Sequence, residues 1–135
     1  MGASKQATGT DVVLLVNASG CPNPELCSVA GSLPVEVREV TRDEVAAYLR
    51  SHPFDVRAVL VSGDGESPLT AIALDAIKGV SPRLPIVFLD SKQSSASELR
   101  VRQAGVHYYA HSPASPGEID AVLAGLGAAG RRHRR

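Results

Sequence analysis

Short apolar runs alternate along this chain with helical stripes that open on capping residues, and that alternation admits few folds. Val12-Val13-Leu14-Leu15-Val16 is uninterrupted by polar residues, as expected of a parallel strand covered on both faces. Ala58-Val59-Leu60-Val61 and Ile86-Val87-Phe88-Leu89 are of the same kind. Val35, Val37 and Val40 are separated by Glu36, Arg38 and Glu39, the alternation of a half-exposed strand nearer an edge. With a last run around Tyr108-Tyr109-Ala110, strands are predicted over residues 11–16, 35–40, 57–62, 86–90 and 106–110.

Helices fill the intervals. Thr41-Arg42-Asp43-Glu44 is a capping box leading into Val45, Tyr48 and Leu49, and that helix must stop before Pro53, because the residue ahead of a proline is pushed out of the helical region. Ser67-Pro68 gives an N-cap with proline at the first helical position, followed by Leu69, Ile72, Ala73, Ala76 and Ile77 at helical period. Ser95-Ala96-Ser97-Glu98 is a second box, and its helix should end near Gly105 on a left-handed residue. Ser115-Pro116-Gly117-Glu118 is a third, ahead of Ile119, Val122, Leu123 and Leu126. A short helix is expected over 24–30. Five strands alternating with five helices give an α/β three-layer sandwich, and right-handed crossovers make its sheet parallel.

At 135 residues, 44% hydrophobic and 21% charged, the chain has the size and composition of one globular domain. The compact part is expected over residues 11–127, between an N-terminal segment 1–10 and a basic tail 128–135. Arg131, Arg132, Arg134 and Arg135 supply four of the 14 basic residues, leaving ten basic against 14 acidic, a formal −4, in the remainder. Such a tail could contact nucleic acid or an acidic partner, but it reads first as a linker, and nucleic acid is not an expected partner of the domain. No apolar stretch approaches the roughly 20 residues of a membrane span, and MGASKQATGT lacks a signal peptide's apolar core. A cytoplasmic location and no membrane contact are the corresponding expectations.

Cys21 and Cys27 are too widely spaced for a CxxC redox motif or a zinc knuckle. They read as two structural thiols, with pairing left open. His107 and His111 stand four apart, a spacing that would converge on one ion from a helix. On a strand it separates the side chains by about 13 Å, so no metal is expected.

The strand ends carry the functional signal. Asn17 and Ala18 follow the first run, Ser62 the third and Asp90 the fourth, while Ser112-Pro113 follows Tyr108-Tyr109-Ala110-His111. Pro85-Ile86-Val87-Phe88-Leu89 and Ala104-Gly105-Val106-His107-Tyr108-Tyr109 stand in register with them. This pattern, over roughly residues 11–127, resembles the receiver (CheY-like) domain of bacterial two-component response regulators. The resemblance implies the flavodoxin-like strand order 2-1-3-4-5, with the functional crevice at the carboxyl ends of strands one and three. In that family the matching positions hold an acidic pair, a phosphoacceptor aspartate, a Thr or Ser, and a Lys-Pro step whose peptide bond is commonly cis. Here they read Asn17-Ala18, Ser62, Asp90 and Ser112. Tyr109 falls at the aromatic that swings inward in the family's switch.

Those substitutions remove the chemistry. Phosphoryl transfer to an aspartate needs Mg²⁺ on clustered carboxylates and a lysine to offset developing charge, and Asn17, Ala18, Ser62 and Ser112 present neither. Asp90 and Asp64 remain, and a carboxylate such as Asp90 at a strand end must be solvated or paired. The expectation is a degenerate, non-enzymatic receiver-like domain, without cofactor, that signals by contact with a protein such as a kinase or an output module. The face of the fourth helix, fifth strand and fifth helix offers Arg100, Arg102, Glu118 and Asp120, which could cross-pair in a homodimer. Two alternatives stand beside it: a phosphorylatable receiver with an atypical acceptor, and a small flavodoxin-like ligand-binding module. For the last, the loop Asn17-Ala18-Ser19-Gly20 offers neither GxGxxG nor GK[ST], and Pro22 and Pro24 remove backbone donors.

Overall fold

In a computed structural model of the chain, the structure describes residues 12–18, 36–52, 55–92, 94–111 and 117–125. Five strands form one sheet: β1 (Val12–Asn17), β2 (Glu36–Val40), β3 (Val56–Gly63), β4 (Ile86–Asp90) and β5 (Tyr108–His111). The order is β2-β1-β3-β4-β5 and every pairing is parallel. The described helices are α1 (Val45–Ser51), α2 (Pro68–Val80), α3 (Ser95–Gln103) and α4, residues 117–125. The fold is thus the flavodoxin-like, CheY-like three-layer arrangement, with each strand within two residues of its expected bounds. The expected short helix at 24–30, Cys21 and Cys27, Ser112-Pro113 and the two terminal segments lie outside the described residues.

The sheet is buried on both sides, as its unbroken apolar runs require. On one side Leu14, Val16, Val59, Val61, Ile86 and Phe88 pack with Val45 and Leu49 of α1, Ala73, Leu74 and Ile77 of α2, and Val101 of α3. On the other, Val13, Leu15, Ala58, Leu60, Val87 and Leu89 pack with Ile119 and Leu123 of α4. Alternation along each strand divides the residues between the two clusters. At the edge, β2 exposes Glu36, Arg38 and Glu39 and buries Val40.

The caps explain the helix starts. Thr41 and Glu44 exchange the two bonds of a capping box, Glu44 N–H to Thr41 Oγ1 at 3.1 Å and Thr41 N–H to Glu44 Oε1 at 3.2 Å. Ser67 Oγ accepts from Leu69 N–H at 3.1 Å ahead of Pro68. At α3 the cap is Ser94, one residue before the expected Ser95: its Oγ accepts from Ser97 N–H at 3.0 Å. Glu98, expected to close that box, instead pairs with Arg102 Nε at 2.8 Å, one turn along. Along α2 the buried face also differs from the expected stripe. Thr70, Ala73, Leu74 and Ile77 are buried, whereas Leu69 and Ile72 are 37% and 57% exposed. The helix is apolar on both sides, and Ala73 and Ile77 belong to either stripe, so periodicity could not choose between them.

Two residues close the connection into β5. Gly105 adopts φ +93° directly after the α3 C-cap, where Lys78 Nζ donates to its carbonyl at 3.1 Å. His107 Nδ1 accepts the Ile86 N–H at 3.1 Å while the His107 backbone N–H donates to the Ile86 carbonyl at 2.8 Å. Burial, then the nearby Lys78 charge, lowers the His107 pKa. His107 therefore leads into the β4–β5 pairing, its backbone bonding the Ile86 carbonyl and its ring the Ile86 N–H. Gly105→Ala should destabilise the fold by about 1–2 kcal/mol, the cost of a left-handed L-residue. Urea denaturation with an unchanged m-value measures it, and a wild-type midpoint would contradict the account.

Candidate functional site

The carboxyl ends of β1, β3, β4 and β5 lie side by side. Register pairs Asn17 with Ser62, Gly63 with Asp90, and Asp90 with His111. Ser62 and Ala18 are buried and Asn17 and Asp64 are partly buried. Ala18 is tied to β3 through its N–H, 2.8 Å from the Ser62 carbonyl, and its own carbonyl accepts from Arg42 Nη1 at 2.6 Å. Arg42, read from sequence only as part of a capping box, thus holds a guanidinium at the mouth of the β1 end. Asp64 Oδ1 accepts from Glu66 N–H at 2.8 Å, an Asx turn that fixes the β3–α2 loop.

Asp90 does something the sequence did not disclose. By strand alternation Asn17 and Ser62 share the sheet face of Leu15 and Leu60, whereas Asp90 shares that of Phe88. Its carboxylate is 0% exposed. Oδ1 accepts from Gly65 N–H at 3.0 Å and Lys92 N–H at 2.8 Å, while Oδ2 accepts from the Ser97 and Tyr109 hydroxyls. Of the two outcomes open to it, solvation or pairing, Asp90 is paired, inside the core.

Surrounding groups are shaped to this carboxylate. A Cβ at Gly65 would overlap Ser97 Oγ and lie 2.8 Å from both Asp90 Oδ2 and Val101 Cγ2, so glycine is required for the close approach. Ser91 N–H and Oγ both donate to the Gly63 carbonyl, at 3.0 and 3.2 Å, and Ser94 Oγ donates to Glu66 Oε2 at 2.7 Å. The β3–α2 and β4–α3 loops are therefore stitched together over the site. Tyr109, 7% exposed, stands opposite Phe88 in register, and its side chain reaches along β5 to Asp90. Its ring stacks on Phe88 at 6.4 Å, meets the His111 ring edge-on at 5.3 Å and carries Arg102 at 5.5 Å. Sequence reasoning singled out Asp90 and Tyr109 but missed Ser97 and Gly65. The signal available in the strands was the two-residue diagonal that joins Asp90 on β4 to Tyr109 on β5, and it does not reach Ser97 or Gly65.

Burial pushes the Asp90 carboxyl up, but hydrogen bonds from Ser97, Tyr109, Lys92 and Gly65 together outweigh it and leave its pKa below the ordinary value. Burial first, then the bond and charge of Asp90, push the Tyr109 phenol well above its usual range. The donor set does not fit Mg²⁺: Asn17, Ala18 and Ser62 carry no carboxylate, and Asp90 is committed to other donors. Among the described residues no three of His, Cys, Asp and Glu stand where they could hold a metal ion. His107 serves Ile86 and His111 faces Tyr109, so each of that pair has a local role.

No protein-family model matches the sequence, and no curated protein matches it. Solved structures do match in fold. A CheY-like protein (tadZ) from Pseudomonas aeruginosa PAO1 superposes with a TM-score of 0.67 at 15% identity, over 87% of this chain and 99% of its own. The receiver domain of NtrX from Brucella abortus gives 0.69 at 19%, over 86% and 98%. The signal receiver domain of a modulated diguanylate cyclase from Desulfovibrio desulfuricans G20 gives 0.70 at 17%, over 91% and 98%. The chain therefore has the fold of CheY-like receiver domains, at identities that establish the fold alone.

The carboxylate network has a pH signature. Because the Asp90 pKa is lowered on folding, its contribution is complete above the unfolded value near 3.9 and is lost as pH falls through the folded value. Tyr109 runs the other way: its contribution is complete below about 10 and is lost as pH rises through its raised value. Tyr109→Phe should cost about 1.5–3 kcal/mol at pH 7, as expected for a hydrogen bond to a charged group. Urea midpoints measured from pH 3 to 7 test this, and a variant as stable as the native chain at pH 7 would show that the bond contributes nothing.

Proposed function

We propose that this chain is a receiver-like domain of two-component signal transduction that has lost aspartyl phosphorylation and works through contact with another protein. The observation that carries this reading is the fate of the strand-end carboxylates. Asn17, Ala18 and Ser62 replace those that would hold a metal and accept a phosphoryl group, and Asp90 is sequestered beneath the joined loops. A serine hydroxyl is a poor nucleophile without a base to take its proton, and 1% exposure of Ser62 leaves little room for an in-line phosphodonor. On this reading the domain is not an enzyme and needs no cofactor.

The proposed partner is a signalling kinase or an output module, and the proposed contact is the face of α3, β5 and α4. Charges expected to cross-pair between two copies there are partly engaged within one. Arg102 bonds Glu98, and Glu118 Oε2 accepts from Tyr108 Oη at 2.6 Å. That engagement favours a different protein over a second copy at this face. Among the described residues no helix is long and apolar enough to cross a membrane, which is compatible with the cytoplasmic location proposed for such a domain.

Acetyl phosphate or beryllofluoride with Mg²⁺ should leave both the intact mass and the melting temperature unchanged, since a ligand that does not bind the native state cannot stabilise it. Ser62→Asp alone should not change that result, because Asn17, Ala18 and the committed Asp90 still leave the metal unsupported. A single phosphoryl adduct on the native chain, or a saturable rise in melting temperature, would refute the reading and support a phosphorylatable receiver. Mapping the adduct would then separate Ser62 from Asp64 and Asp90.

A further inference from the structure

The outward face of α2 has no task in the fold described so far. Leu69 and Ile72 are large and exposed, Ala71 and Gly79 are exposed, Ala76 is partly so, and Asp75 is the exposed charge among them. An amphipathic surface helix turns charge outward, and one that is apolar all round is covered. The buried face is complete without these residues: Thr70, Ala73, Leu74 and Ile77 already fill it.

Gly79 adds an independent observation. It lies in the last turn of α2, has no left-handed φ, and a Cβ placed there would meet nothing within 4 Å. Glycine costs up to about 1 kcal/mol relative to alanine inside a helix, and nothing among the described residues requires it. Close approach of another body at that position would.

Positions 69, 72, 76 and 79 have the 3-4-3 spacing of a helix–helix seam, and their sizes are ordered. The two large residues occupy the N-terminal half and the two small ones the C-terminal half, placed symmetrically about position 74. A two-fold axis there, relating antiparallel copies of α2, sets Ile72 over Ala76 of the partner subunit and Leu69 over the partner's Gly79, and repeats both contacts by symmetry. The stripe is complementary to itself when reversed, a property that a contact with an unrelated partner would not need.

We propose that the chain self-associates through α2, as an antiparallel two-fold pair in which Leu69 and Ile72 of each copy pack on the Gly79 and Ala76 end of the other. Thirteen residues give a seam only about 20 Å long, short of the roughly 800 Å² per partner usual in stable complexes. The two Asp75 side chains also flank the axis as like charges. The pair is accordingly weak, with a dissociation constant of roughly 0.1–1 mM, and is populated where copies are held together.

Sedimentation equilibrium under reducing conditions, from about 10 µM to 1 mM, tests this on the whole chain. The native protein should pass from monomer to dimer across that range. Ile72→Glu should weaken association at least about tenfold by burying an unpaired charge in the seam. Gly79→Ala should separate fold from interface: the monomer's melting temperature rises, because alanine is the better helix former, while association weakens roughly threefold or more through the added methyl. Arg100→Glu/Arg102→Glu should leave association unchanged. A native chain that remains monomeric at 1 mM overturns the proposal. So does association that survives both α2 substitutions, or that is lost only in the α3 variant, which would assign it to the α3–β5–α4 face.

Discussion

A buried carboxylate anchors the carboxyl end of this sheet, and the loops around it follow from satisfying it. Removing a charged group from water costs several kcal/mol, and hydrogen bonds to a charged acceptor return about 1.5–3 kcal/mol each. Asp90 is therefore tolerated only with several donors at once, and these come from separate segments: Gly65 from the β3–α2 loop, Lys92 from the β4–α3 loop, Ser97 from α3 and Tyr109 from β5. One side chain thus makes the positions of two loops, a helix and an edge strand depend on each other. Gly65 must lack a Cβ for the arrangement to close, so the backbone of the β3–α2 loop is shaped by a residue on the next strand.

On the proposed reading, this arrangement limits what the strand ends can do. A site that is to bind a cation or accept a phosphoryl group needs carboxylates whose lone pairs are available and whose loops can admit a ligand. Here Asp90 faces the α3 side of the sheet, its acceptor positions are engaged, and the flanking loops are bonded to each other through Ser91 and Gly63, and through Ser94 and Glu66. Tyr109 is held inward by the same carboxylate, with Phe88 and Arg102 on its ring. Geometry that joins α3 to β5 is therefore set by an internal anion, and the fold supplies that anion itself.

Much of the architecture was legible in the sequence because it rests on local rules. Unbroken apolar runs gave the central strands, since only strands covered on both faces are so uniformly apolar, and alternation with charge gave the β2 edge. Thr41–Glu44, Ser67-Pro68 and Gly105 are local devices whose partners lie within a few residues, and each is found as expected. Where the sequence offered two equivalent solutions, the reading failed. Ser94 and Ser95 could each cap α3, and only the path of the preceding loop, tied to Glu66, selects Ser94. Along α2 either of two apolar stripes could face the sheet. The fate of Asp90 was illegible for a deeper reason: apart from Lys92, its donors are seven to 25 residues away in sequence, and strand position alone does not reveal that they converge.

The ambiguity of α2 is itself physically informative. Sequences usually specify the buried face of a helix by making the other face polar, and the contrast between faces sets how the helix is rotated about its axis. In α2 that contrast is weak, with Leu69 and Ile72 outside and Leu74 and Ile77 inside. Rotation is fixed instead by specific contacts. Thr70 Oγ1 donates to the Asp64 carbonyl at 2.7 Å, Ser67 caps the first turn, and Lys78 reaches Gly105 beyond α3. Polar contacts at both ends of the helix thus do the work that binary patterning does elsewhere. Once they hold the orientation, the outer face is released from the need to be polar, which is the condition under which an apolar seam can be carried on the surface of a folded monomer.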